Sequence, residues 1–282
     1  MANSDSGKHA TDQAHESYSD DNKARRVIDV NSPIDMSSGS VPGISSVHKF
    51  GETPDFDIGD GKVSIWDCAD DGNLNQMVYV YSTGADIDSL SSSNAADTQE
   101  VEVQGLDVNK NLVVQTITLS GTTPVSLNTD LCRVFRMKNS GTFDFSGMVY
   151  CYEGPAQTNG VPTNSGSVRA IVNNGNNQTL MAIYTIPNGK TGYLRSFFAA
   201  TAGANKVTNY IIDVVARSDG GVFQLQHRTA LSEVGTSHFQ HNNTIPEKFN
   251  AKTDIEMRTE ITDGTITGAA VSAGFELTLV DD

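Results

Sequence analysis

The residues with chemistry to offer are carboxylates and histidines in turn-like stretches. Asp55-Phe-Asp-Ile-Gly-Asp60 and Asp67-Cys-Ala-Asp-Asp-Gly-Asn73 each place several acids within reach of one hard cation. That makes Asp55, Asp57, Asp60, Asp67, Asp70 and Asp71 candidate calcium ligands. Turn formation by itself accounts for Asp, Asn and Gly at such places, so no metal or other cofactor is required. Asp107-Val-Asn-Lys-Asn111 begins like an EF-hand loop, but Leu112 stands at its sixth position and Thr118 at its twelfth, which excludes that motif. His238-Phe-Gln-His241 would share an ion on a helix, but the stretch reads as a loop between strands, with His227 as the other nearby histidine. Exposed loop histidines are the expectation. No Gly-x-Ser-x-Gly elbow is present, and serines gather in turn-rich runs such as Ser89–Ser93. No catalytic residue is therefore predicted, and the chain reads as a non-enzyme. Tyr79, Tyr81, Phe143, Phe145, Tyr150 and Tyr152 could serve a glycan-binding face, although aromatics at alternating strand positions more often pack in a core.

The elements that would position these residues are strands. Val101 and Val103 alternate with Glu100, Glu102 and Gln104, and Leu112–Leu119 returns after the turn at 105–111, which predicts a hairpin. Ile255, Met257, Thr259 and Ile261 alternate with Asp254, Glu256, Arg258 and Glu260; Phe275, Leu277 and Leu279 repeat the pattern. Asn209–Arg217 and Val222–Thr229 flank the turn Ser218-Asp-Gly-Gly221. Further strands are predicted at 62–66, 77–81, 133–138, 148–153, 180–186 and 193–199. No convincing long amphipathic helix appears. The prediction is all-β: two tandem β-sandwich or jelly-roll-like domains, 51–160 and 161–282, divided at the Gly/Pro/Asn-rich stretch 153–166. Residues 1–50 are polar and read as an arm, disordered or ordered on assembly, with Val27, Ile28 and Val30 as its docking residues.

Charge narrows the partners. The 34 acids and 19 bases give −15, a sign that repels phosphate backbones and argues against direct nucleic-acid binding. No apolar run reaches membrane-spanning length. Cys68, Cys132 and Cys151 are odd in number and widely spaced, so buried free thiols are expected.

Gly105–Val125 with Arg133-Val-Phe-Arg-Met137, and Gln178–Leu194, resemble segments of virion structural proteins of tailed phages, marine ones especially. The resemblance touches both β blocks and leaves residues 1–50 uncovered. It implies a virion component assembled in the host cytoplasm, with copies of itself as a symmetric homo-oligomer and the major capsid or other virion proteins as partners. Capsid decoration, as a cement protein, is the expected place. A neck, collar or tail-associated position and a glycan-binding adhesion module are the alternatives. No catalytic residue is carried across.

Overall fold

Alternation becomes strand wherever one face finds a core. The computed structural model describes residues 33–70, 74, 76–263 and 268–282, and the docking residues Val27, Ile28 and Val30 lie outside them. After a short helix, Pro33–Ser37, the strands are β1 (Ile44–Phe56), β2 (Val63–Ser64), β3 (Ile87–Ser92), β4 (Glu100–Leu106), β5 (Leu112–Thr118), β6 (Val125–Leu131), β7 (Arg133–Asn139) and β8 (Val149–Glu153). There follow β9 (Gln157–Thr158), β10 (Val161–Pro162), β11 (Val168–Val172), β12 (Ile183–Thr185), β13 (Lys190–Arg217), β14 (Gln224–Phe249), β15 (Asp254–Asp263) and β16 (Ala269–Asp281). The fold is all-β with antiparallel sheets, as the alternation predicts. Among the described residues, no helix is long and apolar enough to cross a membrane.

One sandwich packs the sheet β11-β8-β3-β6 on the sheet β5-β4-β7. Val101 and Val103 from one sheet, and Leu90, Tyr150 and Ile171 from the other, share its core, and Trp66 lies fully buried among them. The hairpin β4–β5 has the predicted register, Val101 opposite Ile117 and Leu106 opposite Leu112.

The second sandwich is made by one long hairpin folded over. β13 and β14 are 28 and 26 residues long and pair along nearly their whole length. The first half of β13 pairs on its other side with β16 (Lys190↔Asp281 to Ala202↔Ala270), and the second half pairs with β15 (Asn209↔Asp263 to Arg217↔Asp254). Between the halves the register breaks at Thr201/Ala204 and Ala204/Thr208, the irregularity expected where a strand switches sheets. The halves then face each other. Phe197, on the first half, has its ring 5.0 Å from that of His227, which belongs opposite Val214 on the second half. Leu194, Phe197 and Ala199 share one core with Tyr210, Ile212 and Val214. The resulting sheets are β1-β16-β13-β14 and β12-β15-β13-β14, with β2 also on β15. A hairpin ribbon rolled over two packed sheets is a jelly roll.

The two sandwiches are nested within one compact unit, 46–282. β1 and β2 precede the first sandwich in sequence, yet belong to the jelly roll through β16 and β15. The first sandwich is thus an insertion between two jelly-roll strands, where a tandem order was expected. The expected boundary at 153–166 lies inside a sheet, because β8 before it pairs with β11 after it (Val172↔Val149, Ile171↔Tyr150). The core-poor block also ends earlier than residue 50, since β1 starts at Ile44 and Lys49 is buried. Gly51 explains part of β1's path: a Cβ there would lie 2.5 Å from Ala182 N and Ile65 O.

Candidate functional site

The nesting brings a polar face of β15 under the inserted sandwich. Asp254 is 3% exposed and Glu256 is fully buried, although the alternation places both on the polar side of the strand. Burying carboxylates is costly unless each oxygen is partnered. Arg133, from β7 of the inserted sandwich, donates from Nε and Nη2 to the two oxygens of Asp254 (2.9 and 3.1 Å). Arg217 Nε donates to Oδ2 at 2.9 Å and Thr185 Oγ1 to Oδ1 at 2.6 Å. Burial by itself would raise the Asp254 carboxyl; the hydrogen bonds and charge of Arg133 outweigh it and hold the group below its ordinary range. Glu256 accepts from Ser64 Oγ, from Tyr81 OH at 3.0 Å and from Arg258 at 3.0 and 3.1 Å.

Above this network lies an open cleft of ≈ 770 Å³, lined by both sandwiches. Its wall is a stack of rings and guanidinium groups. Arg217 is held 4.4 Å from the Tyr81 ring and 4.6 Å from the Phe223 ring, and Arg133 lies 5.0 Å from Tyr81. Phe223 sits just past the Ser218–Gly221 turn and also carries Arg258 at 4.5 Å. At the rim Lys110 Nζ is 3.9 Å from the half-exposed Asp219. Sequence reasoning found Tyr81 as a ring but missed Phe223, Arg217 and Lys110. Arg217 and Phe223 flank the predicted 218–221 turn, while Lys110 belongs to a turn more than a hundred residues earlier, and nothing local signals that the two turns meet.

Of the other glycan-face candidates, Tyr79 is buried behind Tyr81 at 4.8 Å on the cleft lining, Phe145, Tyr150 and Tyr152 are buried, and Phe143 is exposed away from the cleft.

Where they are described, the acidic turns are tied up by hydrogen bonds of their own. Asp60 Oδ2 accepts from the Asp57 amide (2.6 Å), and Asp57 Oδ1 from the Gly268 amide (2.9 Å) in a 3-10 turn, with Asp55 exposed beside them. Asp67 is buried, exchanging hydrogen bonds with Leu180 through both its amide and its carboxylate. Asp70 ends the following 3-10 turn, and Asp71 lies outside the described residues. Among the described residues, no group of three His, Cys, Asp or Glu is placed to hold a metal ion. The histidine stretch is part of β14, not a loop, so His238 and His241 do not share a strand face. His241 instead meets His227 at 5.9 Å across the folded ribbon, and His227 Nε2 lies 3.0 Å from Glu247. Cys68, Cys132 and Cys151 are buried and unbridged.

Lys49 is an unusual core member. It is 2% exposed, and its Nζ donates to the Phe135 carbonyl. Burial first, then the charge of Arg136, holds its pKa well below the usual lysine range, and Asp67 pulls weakly the other way. A lysine with a depressed folded pKa binds more protons when unfolded, so its contribution grows as pH rises towards about 10. Denaturation curves of wild type and Lys49→Met between pH 7 and 10 should show the wild type gaining on the variant, by up to about 1.4 kcal/mol per pH unit.

Of the strands with one edge unpaired, β14 is the longest. Among the described residues β14 pairs with β13 alone, so its other edge offers unpaired backbone groups. Its last part is interrupted: Leu194 is opposite Glu247 and Ser196 opposite Asn242, leaving residues 243–246 as a bulge that contains Pro246. The bulge presents Ile245 at 87% exposure, and Leu225 and Val222 stand exposed at the other end.

No protein-family model matches the chain, and no curated protein matches it. Among solved structures it is similar to that of infectious bursal disease virus Gt strain, at 12% identity and a TM-score of 0.23, over 85% of this chain and 71% of that one. The Gx strain structure gives 10% and 0.19 over 84% and 70%. The crystal structure of the VP2 subviral particle of the same virus gives 11% and 0.19 over 85% and 72%. A likeness at these scores carries no argument about what this chain does.

Proposed function

We propose that this chain is a non-enzymatic structural subunit of a virus particle, and that it decorates a tailed-phage capsid by associating with its own copies and with neighbouring virion proteins. The observation that carries the reading is the free edge of β14. A long unpaired edge is a hazard in an isolated protein and is normally covered, shortened or charged. Here it runs for most of 26 residues with Leu225 and Ile245 exposed along it. The occupant that fits it is a second copy. The chain as a whole carries −15, whereas Gln224–Phe249 holds Arg228 and Lys248 against Glu233 and Glu247, a net of zero. Two copies can therefore meet along this edge without adding to the repulsion between their acidic bodies. The phage resemblance supplies the setting, and the tract with Val27, Ile28 and Val30 supplies the arm that reaches other subunits.

Sedimentation of the full chain tests it. The wild type should form a discrete oligomer, and Leu225→Lys/Ile245→Lys should sediment as a monomer with an unchanged circular dichroism spectrum. A monomeric wild type, or an oligomer that both lysines leave intact, would remove the edge from the argument.

A further inference from the structure

We propose that the cleft between the sandwiches binds the carboxylate of an acidic saccharide, through Arg217 and Lys110. Arg133 and Asp254 are mutually bidentate, and Arg133 Nη1 also donates to the carbonyls of Ser82 and Cys132, so four of its five donors are engaged. Arg217 differs. Its Nε is bonded to Asp254, while Nη1 and Nη2 have no hydrogen-bond partner among the described residues, and the side chain is 24% exposed. Tyr81 and Phe223 touch each other at 5.5 Å and together buttress one side of the guanidinium, which with the Nε bond to Asp254 holds its orientation before any ligand arrives. Pre-ordering of this kind lowers the entropic cost of binding.

The charge is also unbalanced in one direction. Arg133, Arg217 and Asp254 together carry +1, inside a chain that carries −15. Lys110 adds a further cation, loosely engaged by Asp219 at 3.9 Å, so the whole lining of the cleft keeps its net +1. Two free guanidinium nitrogens in a fixed plane match the two oxygens of a carboxylate. A saccharide, and not an acidic peptide, suits the remaining walls. In the open cleft of ≈ 770 Å³ the exposed Val80 and Val108 offer apolar surface to a pyranose ring.

Calorimetric titration of the full chain with digalacturonate tests this independently of any assembly, since binding can be read at whatever oligomeric state the protein adopts. Binding in the millimolar range or tighter is expected, weakening with salt, and the methyl ester should bind about tenfold more weakly or worse. Arg217→Gln should lose a similar factor. Because Arg217 also touches Asp254, Lys110→Gln is the companion variant: it leaves the buried network intact and should weaken binding about threefold. Equal affinity for acid and ester would overturn the proposal, as would equal binding of inorganic phosphate or a short oligoglutamate, or no heat of binding up to about 10 mM.

Discussion

Asp254→Ala should unfold about 3–5 kcal/mol more easily than wild type at pH 7. The substitution leaves Arg133, with its side chain 8% exposed, without the carboxylate that neutralises it, and it frees Arg217 Nε and Thr185 Oγ1 at the same time. Because Arg133 comes from the inserted sandwich while Asp254, Arg217 and Thr185 come from the jelly roll, the loss falls on the junction between them. Acid should erase the difference. A carboxyl whose folded pKa is depressed stabilises the fold above its unfolded value, and that contribution disappears as pH falls through the folded one. The gap between wild type and variant, measured by urea denaturation, should therefore be full at pH 7 and shrink steadily below about pH 4. A gap independent of pH would mean that the ion pairs contribute nothing specific.

Trp66→Ala should cost a further 3–5 kcal/mol by a different route, the cavity left by a large buried ring. Trp66 is fully buried, packs edge-on to Tyr79 at 4.9 Å, and donates from Nε1 to the Gln76 carbonyl at 3.0 Å. It stands directly after β2, where the chain leaves the jelly roll for the insertion, and its backbone bridges to Met181 on the return. The residue thus closes the neck of the insertion as well as filling its core. Calorimetry should show one transition shifted downwards for both variants, since the sandwiches share one compact unit. Two separate transitions, only one of which moves with each variant, would show that the nested sandwiches fold independently.

The β class, the β4–β5 hairpin and the turn at 218–221 were legible because they depend on residues close in sequence: alternation sets which face is apolar, and glycine permits the turn. β3 was not legible. Ile87-Asp-Ser-Leu-Ser-Ser92 reads as a polar run, and it becomes a central strand because β6 and β8 flank it and bury its serines. Met77–Tyr81 failed in the opposite direction. Its alternation is strand-like, but its backbone is used by single contacts, Ser64 N to Met77 O and Tyr79 N to Ser64 Oγ, and no ladder forms.

By itself the sequence determined strand periodicity, turn positions, an acidic surface and the absence of a local catalytic motif, all properties of neighbouring residues. Only the tertiary structure decided that one ribbon would fold over into a jelly roll with a sandwich inserted in it, and that decision turned the polar face of β15 inward. Asp254 and Glu256 look solvent-bound in the pattern of their own strand. They are buried because Arg133 and Tyr81, more than a hundred residues away in the chain, arrive to satisfy them, and no local periodicity can encode a partner at that distance.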